Sequence, residues 1–119
     1  MNTIKELVEN GYDKDEILDF IEAHGKDNLE HYVQFYELTD DYDEDAVKIY
    51  LDNIGNLDNF EEAYNGHHRS FETFAEELFD EFYAHDIPDH IKSYIDYEKF
   101  ARDLKYDYWE EGGHVFRNL

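Results

Sequence analysis

Ser70-Phe71-Glu72-Thr73-Phe74-Ala75-Glu76-Glu77-Leu78-Phe79-Asp80-Glu81-Phe82 decides how the chain is read. Its residues Phe71, Phe74, Ala75, Leu78 and Phe82 recur at helical spacing, so one face packs, and Ser70 stands where an N-cap hydroxyl is needed. The other face carries no lysine or arginine. Residues four apart on a helix lie about 6 Å apart along its axis, so Glu72, Glu76 and Asp80 form one carboxylate row and Glu77 with Glu81 a second. Like charges at that spacing repel each other, which suggests that the rows serve a purpose beyond the helix.

The same arrangement recurs upstream as a series of short helices. Thr3 with Glu6 makes a capping-box pattern before Ile4, Leu7 and Val8, and Gly11 ends that helix. Asp13 with Glu16 repeats it ahead of Ile17, Leu18, Phe20 and Ile21, with Gly25 as the stop, and Asp15, Asp19 and Glu22 form a row on this second helix. Asn28 is expected to open a third helix whose Leu29, Tyr32, Val33 and Tyr36 share one face. The run Asp40, Asp41, Asp43, Glu44 and Asp45 is the densest cluster of acid and separates it from a fourth helix. That fourth helix carries Ala46, Val47, Tyr50, Leu51 and Ile54, with Asp52 among them, and Gly55 terminates it.

Beyond Leu57 the pattern changes. Residues 59–68, which include Glu61, Glu62 and Gly66 and follow Asp58, read as a strand or as another short helix. Pro88 fits the first position of a short turn through Tyr94, and Asp96 caps a helix bearing Tyr97, Phe100, Ala101 and Leu104. The C-terminus alternates like strands, with Tyr106 and Tyr108 before Glu110 and a Gly112-Gly113 turn leading into His114, Val115 and Phe116. The expected fold is α+β and mostly α-helical. An acidic short-helix bundle over residues 1–55 precedes a small α+β domain over 56–119 that ends in a β-hairpin.

The charge narrows the function. Thirty-two acidic residues against ten Lys and Arg leave a formal charge of -22, while 18% of the residues are aromatic, so acid decorates a packed fold and not a disordered tail. A field of that size favours a basic partner and repels nucleic acid and anionic membranes. A merely solubilising or halophilic surface is the plain alternative. With no cysteine and no long apolar run, neither disulfides, thiolate chemistry nor membrane insertion is expected, and the default location is the cytoplasm.

Catalytic and metal sites find little support. Asp41, Asp43, Asp45 and Asp52 occupy positions 1, 3, 5 and 12 of a calcium-binding loop, but Ala46 stands where its tight turn needs glycine. His67-His68, with Glu61, Glu62 and Glu72 nearby in sequence, reads as a surface pair, because adjacent histidines on a loop usually point apart. There is no glycine-rich phosphate loop and no nucleophile elbow. No enzyme, metal or cofactor is expected.

Phe60-Glu61-Glu62-Ala63-Tyr64-Asn65-Gly66, Ser70 and Phe74-Ala75-Glu76-Glu77 resemble the C-terminal domain of ArdA antirestriction proteins. Ile87-Pro88-Asp89-His90-Ile91, Tyr94-Ile95-Asp96-Tyr97-Glu98, Ala101-Arg102-Asp103-Leu104 and Gly113-His114-Val115-Phe116 continue the match in order, over about residues 57–118. The first half is similar to the family's middle domain in acidity and helix order, and the chain is shorter than usual members by what corresponds to their N-terminal domain.

The resemblance implies a dimeric DNA mimic carried by plasmids, transposons or phages. Such a mimic acts in the bacterial cytoplasm, where it fills the basic DNA-binding groove of a type I restriction-modification enzyme. It implies further that Tyr64, Asn65, Gly66, Ser70, Phe71, Phe74, Ala75 and Leu78 belong to an antirestriction motif near the dimer contact. A surplus of aromatic residues around Phe60, Tyr64, Phe71, Phe74, Phe79 and Phe82 also suggests a homodimer, since one helix stripe cannot bury them all. Competing targets are a CRISPR effector, RNA polymerase or a histone-like protein. Leu7-Val8-Glu9-Asn10-Gly11-Tyr12 also fits a ubiquitin-associated-like helical binding module.

Overall fold

A computed structural model describes residues 3–119. The chain divides into two compact units, Met1–Phe60 and Glu61–Leu119. The division falls beyond Gly55 because Leu57 and Phe60 are buried, Phe60 edge-on to Tyr42 and Tyr50 at 5.1 and 5.5 Å between ring centroids.

In the first unit, α1 (Ile4–Glu9) and α2 (Lys14–His24) begin where their caps dictate. Thr3 Oγ1 accepts from the Glu6 amide at 3.2 Å, and Asp13 Oδ1 accepts from the amides of Asp15 and Glu16 at 2.8 and 3.1 Å. The third helix departs from expectation. A 3₁₀ helix over Lys26–His31 runs directly into α3 (Tyr32–Asp41), and Asn28 opens neither. Its side-chain nitrogen donates instead to the His24 carbonyl at 2.6 Å, satisfying the end of α2.

The 3₁₀ turn also changes which residues face inward. With three residues per turn, Leu29 and Tyr32 eclipse, and the buried stripe continues through Phe35 and Leu38. Val33 is only half-buried and Tyr36 is exposed. Asp43 then caps α4 (Glu44–Ile54) by accepting from the Asp45 amide at 2.8 Å. Ala46, Val47, Tyr50 and Leu51 are buried on it, whereas Ile54 in its last turn is exposed.

In the second unit, residues 59–68 realise both readings in succession: α5 (Phe60–Ala63) passes straight into β1 (Tyr64–His67). Ser70 Oγ accepts from the Thr73 amide at 3.0 Å and starts α6 (Phe71–Phe82). Pro88 precedes α7 (Asp89–Lys92) as its cap and does not occupy its first position. Asp96 Oδ1 accepts from the Lys99 amide at 3.0 Å to start α8 (Tyr97–Leu104). The hairpin is β2 (Tyr108–Glu111) and β3 (His114–Arg117), with Tyr106 outside it in the preceding turn.

The hairpin is part of a larger sheet. β1 adds to it in the antiparallel order β1-β3-β2, pairing Tyr64 with Phe116 and His67 with His114. A register shift between Tyr64 and His67 coincides with the positive φ of Gly66, the conformation a bulge of this kind needs. Central β3 is buried on both faces. Val115 joins Phe71, Phe74, Ala75 and Ala101 in one cluster, while Phe116 stacks on Trp109 at 4.4 Å.

The turn fixes the hairpin sterically. Gly112 and Gly113 both have positive φ, as a two-residue turn between right-twisted strands requires. A Cβ on Gly113 would lie 2.6 Å from His67 Nε2 and 2.8 Å from the His68 carbonyl oxygen. Gly113→Ala is therefore expected to cost about 2 kcal/mol or more, adding steric overlap to an unfavourable backbone conformation. A denaturant titration followed by Trp109 fluorescence measures this, and an unchanged midpoint contradicts it.

Candidate partner-binding surface

The caps decide where the acid goes. In the first unit, Asp15, Asp19 and Glu22 lie along α2, Asp40 and Asp41 close α3, and Glu44 and Asp45 fill the first turn of α4 behind the capping Asp43. All of these are exposed, as are Asp52 on α4 and Asp58. The calcium-loop spacing dissolves here, because Asp41 belongs to the end of one helix and Asp43 and Asp45 to the start of the next.

The second unit has its own acidic face. Glu61 and Glu62 on α5, and Glu72, Glu76, Glu77, Asp80 and Glu81 on α6, are all exposed. Among the described residues only three of the carboxylates named in the two units meet a cationic or histidine side chain. Glu44 lies 3.4 Å from Lys48, Asp52 is 2.9 Å from His24, and Glu77 is 3.3 Å from His68. The rows on α2 and α6 are otherwise uncompensated, so each unit carries a negative field with little internal neutralisation.

The residues of the resemblance's antirestriction motif do structural work within the second unit. Ser70 caps α6, and Phe71, Phe74 and Ala75 are buried with Val115, with Leu78 half-buried against them. Asn65 Nδ2 donates to the Ala63 carbonyl at 2.9 Å, and the Tyr64 hydroxyl shares a 2.9 Å hydrogen bond with Nδ1 of His114.

His114 is buried in this unit's core, although in sequence it stands out only as part of the Gly113-His114-Val115-Phe116 stretch. Its place opposite Glu111 beside a double-glycine turn was visible, but burial of the strand's two faces was not. The expectation of a surface pair at His67-His68 needs correction. His67 is exposed with its ring 4.8 Å from His114, but His68 is half-buried, tilted against Phe74 at 5.0 Å and bonded through Nε2 to the Asn65 carbonyl at 2.8 Å. The His68 amide donates to the Gly113 carbonyl at 2.7 Å, which ties the pair to the glycine turn of the hairpin.

His24 was missed as well. Its side chain is 3% exposed, packs against both Phe20 and Phe35 with ring centroids 4.9 and 5.5 Å away, and is tied to Asp52. The signal available in sequence was the Phe20–His24 spacing of one helical turn on a buried stripe.

A family model described as antirestriction protein (ArdA) matches residues 2–116. The chain belongs to the ArdA family of antirestriction proteins. No curated protein and no solved structure matches it. The ArdA match begins at residue 2 and so spans the acidic helices of the first unit, for which the sequence resemblance rested on charge and helix order. No helix among the described residues of this ArdA chain is long and apolar enough to cross a membrane.

Proposed function

We propose that this ArdA protein is a non-catalytic inhibitor that imitates duplex DNA and occupies the basic DNA-binding groove of a type I restriction-modification enzyme, competing with DNA in the bacterial cytoplasm. The observation that carries this reading is the exposure of every named carboxylate on α2, α4, α5 and α6, with so few neutralised inside the chain. A single row with a charge every 6 Å or so does not match duplex DNA, which has about one charge per 1.7 Å of axis, whereas rows on several helices approach it.

Affinity is then the sum of many small terms and is strongly reduced by salt. Duplex DNA and the inhibitor should compete for the enzyme, and inhibition of DNA cleavage should weaken steeply across a salt titration. Inhibition that persists unchanged at high salt would instead favour a hydrophobic binding module.

The same proposal makes the active form a homodimer. Phe82, Tyr83 and Tyr94 of the second unit remain 61%, 53% and 83% exposed, although Phe79 packs on Tyr83, Tyr97 and Phe100. Large apolar side chains left exposed on so polar a chain suit a self-contact. Phe82→Ser is expected to shift sedimentation equilibrium at micromolar concentration from dimer to monomer while the helical circular dichroism is retained. A wild-type chain that sediments as a monomer would remove the claim.

A further inference from the structure

The first unit contains a cavity of about 370 Å³ that the acidic rows do not explain. It is many times the share of one water, about 30 Å³ in the liquid, and opens among α2, α3 and α4. Phe20, Tyr32, Phe35 and Tyr36 supply aromatic walls, and Glu16, Asp19 and Glu44 add carboxylates. Lys48 also lines it, held 3.4 Å from Glu44, while Glu16 and Asp19 have no cation partner among the described residues.

Two polar atoms of residues that line the cavity are buried without hydrogen-bond partners among the described residues. They are Nε2 of His24 and the hydroxyl of Tyr32. The Asp52 carboxylate accepts from Nδ1 of His24 at 2.9 Å, so in the neutral ring Nε2 is left as a bare acceptor. Tyr32 is 3% exposed and lies edge-on to Phe20 at 5.3 Å. A buried polar group left unmatched destabilises the fold, and two beside one cavity point to a ligand that satisfies both.

The field in the cavity selects the ligand's sign. Burial first, and then the neighbouring Glu16, push the Tyr32 hydroxyl above the ordinary tyrosine range, which means that further negative charge is disfavoured there. Burial resists charge of either sign, so it is the neighbouring carboxylates, Glu16 and then Asp13, that favour a cation there. Its shape follows from the walls: flat rings stack on a planar guanidinium, whose several N–H donors can serve Nε2, the phenol oxygen and a carboxylate together. A lysine ammonium offers no such plane.

We propose that this cavity is a socket for an arginine side chain of the partner protein, with His24 and Tyr32 receiving the guanidinium and Glu16 and Asp19 compensating its charge. The proposal rests on the reading that the partner presents a basic DNA-binding surface. It adds one discrete anchor to a binding mode otherwise spread over many carboxylates.

Titration of the 119-residue chain with arginine amide, followed by NMR, tests the socket without any restriction enzyme. Saturable shifts at His24, Tyr32 and Phe35 are expected, with lysine amide and spermidine binding about tenfold more weakly because they lack the plane and the fork of donors. Equal binding of the three cations, or no localised shift, would overturn it. Tyr32→Phe separates binding from structure: it should weaken arginine amide severalfold while raising the melting temperature, since it deletes an unpartnered hydroxyl. A lower melting temperature with unchanged amide affinity would mark Tyr32 as structural only and overturn the assignment. Ala23→Trp, which fills the cavity from an exposed position on α2, should abolish amide binding and reduce restriction inhibition about tenfold, the weight of one anchored contact. Full inhibition by this variant would show that no partner arginine uses the socket. If the wild-type chain inhibits no restriction enzyme, the mimicry reading fails while the amide titration still decides the cavity's chemistry.

Discussion

Replacing Asp40, Asp41, Asp43, Glu44 and Asp45 together by their amides is expected to lower inhibition of a type I restriction enzyme on the order of a hundredfold, while each single replacement changes it only slightly. Exposed charge pairs typically contribute about 0.2–1 kcal/mol, so a partner that reads a summed field loses several kcal/mol only when a whole cluster is neutralised. The slope of inhibition against salt should fall in the same variant, because fewer counterions are exchanged on binding. Folding should survive.

The reason folding should survive lies in where the five residues sit. Asp40 and Asp41 close α3, where the helix dipole disfavours negative charge, so their amides are expected to stabilise by about 0.3–1 kcal/mol each. Glu44 and Asp45 occupy the first turn of α4, where the dipole favours negative charge, and their neutralisation should cost a similar amount. Asn at position 43 caps a helix about as well as Asp. The terms nearly cancel. A single conservative change at one of these positions that destroyed inhibition while leaving fold and assembly intact would be incompatible with a distributed mimic.

Phe116→Ala should have the largest effect on stability, about 3–5 kcal/mol, the usual cost of emptying a buried phenylalanine site. Phe116 is fully buried on central β3, stacked on Trp109 with 20° between ring planes and 5.3 Å from the Tyr64 ring. Its removal therefore strips packing from both neighbouring strands. Trp109 is the only tryptophan of the chain, so its fluorescence reports this sheet directly. The variant should show a red-shifted emission and a much lower denaturant midpoint. Phe82→Ala, at an exposed site, serves as the contrast: its midpoint should move by well under about 1 kcal/mol when measured on the monomer. Equal shifts in the two variants would mean that the sheet does not hold this unit together.

Much of this was legible from the chain alone. Thr3, Asp13, Ser70 and Asp96 each start a helix at the residue their cap chemistry specifies, because a cap bonds amides only two or three positions away, whereas Asp43 was read only as one of the acidic run and proves to cap α4. Of the expected stripe, Phe71, Phe74 and Ala75 are buried and Leu78 is half-buried, whereas Phe82 in the last turn of α6 is exposed; the Gly112-Gly113 turn joins the two strands it was expected to join. Exposure of the carboxylate rows was equally readable, since an ionised side chain opposite an apolar stripe remains in water. These are local patterns, complete within a few residues.

Tertiary structure decided what local pattern left open. Residues 59–68 split into a turn of helix and a strand because β3, some fifty residues later, offers β1 its free edge, with the Tyr64 hydroxyl bonded to His114 across that distance. The 3₁₀ turn before α3 depends on Asn28 reaching back to the end of α2, and it moves the buried stripe from Val33 and Tyr36 to Phe35 and Leu38. The cavity, beside which His24 Nε2 and the Tyr32 hydroxyl are unpartnered, arises because three successive helices fold back on one another and close around side chains whose partners no spacing rule names. Charge and helix ends are properties of neighbouring residues, whereas strand pairing, burial of a polar atom and the lining of a cavity depend on which distant segments pack together.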